Sequence, residues 1–104
     1  MKYKLVITVE KVKGKCPVYA PGDRMTVEMP RLVLEETTSL CIHAFTAMQT
    51  IIQALARGYS AKALGVGPSD DEAYVQCPDP GPPYTNGGTV IFKVKRYPVV
   101  DVRE

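Results

Sequence analysis

Residues Thr38–Gly58, TSLCIHAFTAMQTIIQALARG, decide how this chain is built. Cys41, Ala44, Phe45, Met48, Ile51, Ile52 and Leu55 recur at steps of three and four, which gathers them on one face of a helix. His43, Thr46, Thr50, Gln53 and Arg57 fall on the opposite face. The hydroxyl of Ser39 or Thr38 can accept from an orphan N–H at the start. Arg57 stands in the last turn, where a cation suits the helix dipole. Gly58 follows at the position that favours a left-handed backbone. The pattern predicts one long helix, and the flanking segments are strand-like.

Residues 3–11, YKLVITVEK, alternate, with Tyr3, Leu5, Ile7 and Val9 on one face and Lys4, Val6, Thr8 and Glu10 on the other. A connection rich in Pro and Gly leads to a second strand, DRMTVEM, which Pro30 ends because it cannot donate to a ladder. RLVLEE reads as a short third strand or a lead-in to the helix. After the helix, EAYVQC and GTVIFKVKRYPVV read as two more strands. The expected class is α+β: a small antiparallel sheet of four or five strands with one long central helix packed on one face, in the order β-β-(β)-α-β-β. Residues 1–97 form a single domain in this reading, and 98–104 form a tail suited to docking on a partner. One helix covers one side of the sheet. The other side carries Val6 and Ile91 among polar residues, so a partner or a second copy of the chain is expected to cover it.

The chain has 104 residues, with 13 basic and 11 acidic side chains and a net charge of +2. That balance is too even to argue for a nucleic-acid partner, which a basic stripe would mark. No apolar run approaches the roughly eighteen residues of a membrane span. The start, MKYKLVITVEK, lacks the apolar stretch of a signal peptide. A cytoplasmic location is the expectation, and three cysteines there argue against a disulfide framework.

The cysteines are the candidates for chemistry. Cys16 and Cys77 each precede a proline, which holds the cysteine backbone extended. Cys41 falls in the first helical turn, where the dipole favours a thiolate. Cys41 also lies on the apolar face, and free cysteine is among the most buried residue types. Strand ends and a helix start meet at one edge of an α+β domain, so the three thiols can share a site. Zinc or iron is the metal such thiolates would select, with His43 as a further candidate ligand. His43 is turned about 200° from Cys41 on a regular helix, however, and reads more simply as a surface residue. No local C-x₂-C pair supports a zinc finger. Neither a dinucleotide fingerprint nor a P-loop is present, and no G-x-S-x-G accompanies the single histidine. Asp79 reads as turn chemistry. The loop QCPDPGPPYTNGG, Gln76–Gly88, is stiffened by its prolines. Pro80, Pro82, Pro83 and Tyr84 in this loop are candidate partner contacts, as are Tyr97, Pro98, Val99 and Val100 near the end of the chain.

Taken together, CPVYAPGD (16–23), LCIHAFTAM (40–48), VQCPDP (75–80) and TVIFKVK (89–95) resemble a family of small uncharacterised proteins of anaerobic bacteria and archaea. Its pattern is a Cys-Pro after the first strand, a Gly-Asp turn, a cysteine opening a central helix, and a cysteine-containing loop before the last strand. The resemblance spans residues 3 to 96 and implies only that the three cysteines are the family's pattern, which favours a shared site over three unrelated core thiols. The Pro/Gly loop and the tail YPVVDVRE depart from it, and both suit docking on a larger partner. The expected function is a small non-catalytic accessory or structural subunit of a larger anaerobic metabolic enzyme, such as a decarboxylase or carboxylase. A small metal- or thiol-dependent protein using Cys16, Cys41 and Cys77 is the alternative.

Overall fold

A computed structural model describes residues 2–99. Strand β1 (Lys2–Gly14) is followed by β2 (Arg24–Glu28), β3 (Arg31–Leu32) and a 3₁₀ turn (Leu34–Glu36). Helices α1 (Ile42–Ala47) and α2 (Gln49–Ala56) come next, then β4 (Glu72–Gln76) and β5 (Gly88–Val99). The five strands form one antiparallel sheet in the order β3-β2-β1-β5-β4. The chain's first and last described strands are therefore central neighbours, paired from Lys2↔Val99 to Gly14↔Gly88.

One face of the sheet makes the core. Leu5, Ile7 and Val9 of β1, Met25 and Val27 of β2, and Val90, Phe92 and Val94 of β5 are buried there. Ala44, Met48, Ile52 and Leu55 of the helices pack into the same cluster. Strict alternation would turn Lys11 and Lys13 into this core after Val9. A bulge at Glu10 prevents that: Val9 pairs with Phe92, and Lys11 with Ile91. The extra residue reverses the facing of everything after it. Val12 then packs against the core opposite Val90, and the lysines turn outward. At the strand's end Gly14 has a φ of +87°, and a side chain on its partner Gly88 would strike the backbone of Lys13 and Lys15. The glycines that close the Pro/Gly loop permit that approach.

The single long helix is not what forms. The helical segment starts at Ile42 with Cys41 as its N-cap, and it divides at Met48 into six- and eight-residue helices. Neither Ser39 nor Thr38 caps it; the Thr38 hydroxyl instead accepts from the Arg24 amide. At Met48 the N–H is shared between the Ala44 and Phe45 carbonyls, at 3.0 and 3.2 Å. The Gln49 side chain also reaches the Phe45 carbonyl, at 3.5 Å. That carbonyl is drawn into a tighter turn, and the α ladder lapses for one residue. The apolar period runs on across the lapse, so sequence spacing alone does not reveal it. Gly58 closes α2 with a φ of +95°. Among the described residues no helix is long and apolar enough to cross a membrane.

The boundary expected at 97/98 falls inside β5, where Pro98 stands opposite Tyr3 and Val99 opposite Lys2. Val100 and the rest of the expected docking tail lie outside the described residues.

Arg96 ties the helices to the sheet. Its place in β5 follows Val90, Phe92 and Val94 on the core face, and it is only 6% exposed. Its guanidinium donates to the carbonyls of Leu55 (2.9 Å), Tyr59 (2.6 Å) and Asp70 (3.0 Å). Two further bonds reach the Asp71 carboxylate, at 3.0 and 2.7 Å. The charge also lies over the Tyr3 ring, 4.5 Å from its centroid. One side chain thus caps the carbonyl end of α2, fixes the connector before β4 and covers the end of β1. Arg96→Met is expected to lower the unfolding free energy by about 2–4 kcal/mol, because several charge-assisted bonds vanish and the Tyr59 carbonyl loses its donor. Asp71 is largely exposed, so Asp71→Ala should cost less than about 1 kcal/mol. Urea denaturation of the two variants checks the contrast.

Candidate functional site

The end of the sheet opposite Arg96 collects the three cysteines. Cys16 lies two residues beyond β1, Cys77 directly follows β4, and Cys41 caps α1. Cys77 is buried in the core cluster, and Cys16 and Cys41 are half-buried against it. Tyr19, three residues after Cys16, connects them. Its backbone N–H donates to the Cys16 Sγ at 3.4 Å. Its phenol accepts from the Cys41 N–H at 2.7 Å and donates to the Met25 Sδ at 3.4 Å. The ring meets Phe92 edge-on with centroids 5.4 Å apart. A tyrosine hydroxyl, rather than a Ser or Thr, therefore satisfies the helix start. The short spacing in CPVY was the available signal for this role, and the reading of the cysteines passed over it.

The Cys77 amide extends the β4 ladder by donating to the Val90 carbonyl at 2.9 Å. Its Sγ accepts from the Asp79 amide at 3.5 Å. Asp79 then organises the loop: its Oδ1 accepts from the Gly81 amide at 2.9 Å and from the Thr85 hydroxyl. The amides of Tyr84 and Thr85 both return to the Gly81 carbonyl at 3.0 Å. Asp79 is turn chemistry, as its place between two prolines implies. Pro80, Pro82 and Pro83 are exposed on this framework, and Tyr84 is 81% exposed.

His43 is exposed on α1 and makes no hydrogen bond to a cysteine among the described residues. It is near enough to Asp79 for its charge to act on that carboxyl. Among the described residues no three His, Cys, Asp or Glu side chains are placed to hold one metal ion. Cys16, Cys41, Cys77 and His43 share an end of the fold, but in this arrangement they do not form a zinc or iron ligand set. Each thiol is occupied in packing or in accepting a backbone N–H.

Comparison of the chain with models of known protein families, with curated proteins and with solved structures finds no match.

Two titrations probe this end of the molecule. Burial pushes the Tyr19 phenol above its ordinary range; the Cys41 amide bond opposes the shift, and Cys41, Cys16 and Asp23 add to it. A phenol that holds its proton more tightly when folded adds stability that is full below the unfolded value near 10. That stability is lost as pH rises through the folded value. Ionisation of Tyr19, read at 295 nm as the difference between the native chain and Tyr19→Phe, should have its midpoint above the ordinary phenol value. Asp79 moves the other way: the Thr85 hydroxyl first, then the Gly81 amide, hold its carboxyl below the usual range, with a smaller contribution from His43. Its contribution is present above the unfolded value near 3.9 and lost as pH falls through the lower folded value. NMR titration of the Gly81 and Thr85 amides should give a midpoint below 3.9, absent in Asp79→Asn.

Proposed function

We propose that the chain is a small non-catalytic accessory subunit that docks on a larger partner through its cysteine-containing end. The observation that carries this reading is the pairing of a braced framework with exposed apolar side chains. Tyr84 at 81% and Ile42 at 78% exposure are among the most open large apolar residues of the chain, and Leu40 stands beside Ile42. Their backbones are held by the Asp79 turn and by the Tyr19–Cys41 bond. Rigid presentation lowers the ordering cost of association, and aromatic anchors dominate interface energetics.

The thiols support this role as structure. Cys77 and Cys41 link the loop and the helix start to the core, so the end of the fold acts as one block. The polar side chains present there serve the scaffold: Asp79 is engaged by the loop, and Tyr19 by the helix start.

Tagged chain recovered from its native cell at native concentration should carry one partner in fixed stoichiometry, measured by native mass spectrometry. Tyr84→Asp and Ile42→Asp should each reduce that partner at least tenfold while leaving the far-ultraviolet spectrum unchanged. A chain that runs alone, or a partner retained by both variants, overturns the reading.

A further inference from the structure

The face of the sheet turned away from the helices gathers cations that the sequence scatters. Strand β1 contributes Lys2 and Lys4 and, because the bulge reverses facing, Lys11 and Lys13. Lys93 and Lys95 of β5 stand on the same side, opposite Thr8 and Val6, and Arg24 of β2 is opposite Thr8. The strands place two carboxylates there, Glu28 and Glu72, while Glu10 stands in the bulge. This one face therefore carries a larger positive excess than the +2 of the entire chain.

The surface is not a uniform field of charge. The 3₁₀ turn covers its β2 side, where Thr26 is buried with its hydroxyl on the Glu36 carbonyl. Lys4 is held by Glu36 at 2.9 Å, and Lys93 lies 3.7 Å from Glu72. Lys11, Lys13 and Lys95 have no carboxylate partner among the described residues. Across the open part, over β1, β5 and β4, two aromatic rings stand exposed: Tyr97 at 42% and Tyr74 at 38%. Each is faced across the ladder by a lysine, Tyr97 by Lys4 and Tyr74 by Lys93. Lys95 lies between them along β5, with its Nζ 5.7 Å from the Tyr97 centroid. Four residues along the strands and one strand across put the two rings about 14 Å apart. A shallow groove lined by Tyr74, Val75, Gln76 and Ile91 continues the surface to the edge.

We propose that this face binds single-stranded nucleic acid, with bases stacked on Tyr97 and Tyr74 and phosphates drawn to Lys11, Lys13 and Lys95. Lysines alone would serve any polyanion. Exposed rings set between lysines on an open sheet favour a strand whose bases are free to stack, because base–aromatic stacking adds to phosphate attraction and tolerates any sequence. A duplex keeps its bases inside and offers the rings nothing. The proposal does not rest on the accessory role, and its test uses residues that the docking test leaves intact.

Fluorescence anisotropy with a labelled twelve-nucleotide single strand, as RNA and as DNA, against the matching duplex, tests this. The single strand should bind more tightly than the duplex. Its log–log salt slope should be about −2, as for three neutralised phosphates. Tyr97→Ala and Tyr74→Ala should each weaken binding about tenfold, and Tyr97→Phe should stay within twofold. Lys11→Glu with Lys13→Glu should flatten the salt slope; these side chains are exposed, and circular dichroism checks that the fold is kept. Three results overturn the proposal: no binding at low salt, binding indifferent to both Tyr→Ala changes, or competition by poly-glutamate as effective as by unlabelled oligonucleotide at equal charge. The last would assign the face to an acidic protein segment.

Discussion

The structure depends on a buried guanidinium. Among the described residues Arg96 is the one buried arginine, and its donors satisfy backbone carbonyls from the end of α2, the connector and the approach to β4. A charge that deep is costly unless its hydrogen bonds are met, and here they are met chiefly by carbonyls rather than by a carboxylate. That choice has a consequence for specificity. A carboxylate partner would fix one point, whereas three carbonyls from separated segments fix the relative placement of a helix, a loop and a strand. The eight residues of α2 are too few for a stable isolated helix. Its register on the sheet is instead set by Arg96 at one end and by the apolar row Met48, Ile52 and Leu55 along its length.

Sequence reading recovered the parts of the fold that rest on period. Tyr3, Leu5, Ile7 and Val9 alternate because one sheet face is buried, and the same logic holds for Val90, Phe92 and Val94. It stopped short where a local bond competes with period. The helix break at Met48 turns on which donors reach the Phe45 carbonyl, and spacing is blind to that. Arg96 was legible in principle. Extending the alternation of β5 by two residues puts it on the inward face, and an arginine placed there by period is a demand for buried acceptors. Period does not say, however, which acceptors meet it, because the three carbonyls come from segments distant in sequence.

The candidate site divides in the same way. That Cys16, Cys41 and Cys77 come to one end followed from topology: two strand ends and a helix start. That no three such side chains are placed to hold one metal ion among the described residues depends on side-chain direction. Tyr19 gives its backbone N–H to the Cys16 sulfur and its phenol oxygen to the Cys41 amide, and Cys77 is buried in the core with its sulfur accepting the Asp79 amide. Both Cys-Pro steps therefore act as corners: an extended cysteine leaves its strand, and its sulfur accepts the amide of a residue two or three positions on. Sulfur is a weak acceptor, so these bonds position the loops without ranking among the strong contacts of the fold.

The bulge at Glu10 shows why a chain-wide charge is a poor guide to partners. Net charge sums the whole surface, whereas a ligand meets one face. In an unbroken strand Lys11 and Lys13 would point at the helices, where burial without partners is prohibitive, so the segment would have to leave the sheet. One unpaired residue resolves the conflict: Val12 is delivered to the core and both lysines to the side that already holds Lys2, Lys4, Lys93 and Lys95. The device that lets β1 run its full thirteen residues is the same one that segregates charge between the faces. Packing and electrostatics are thus coupled through a single register shift. Removing it would exchange the two faces of the distal strand rather than alter either one alone.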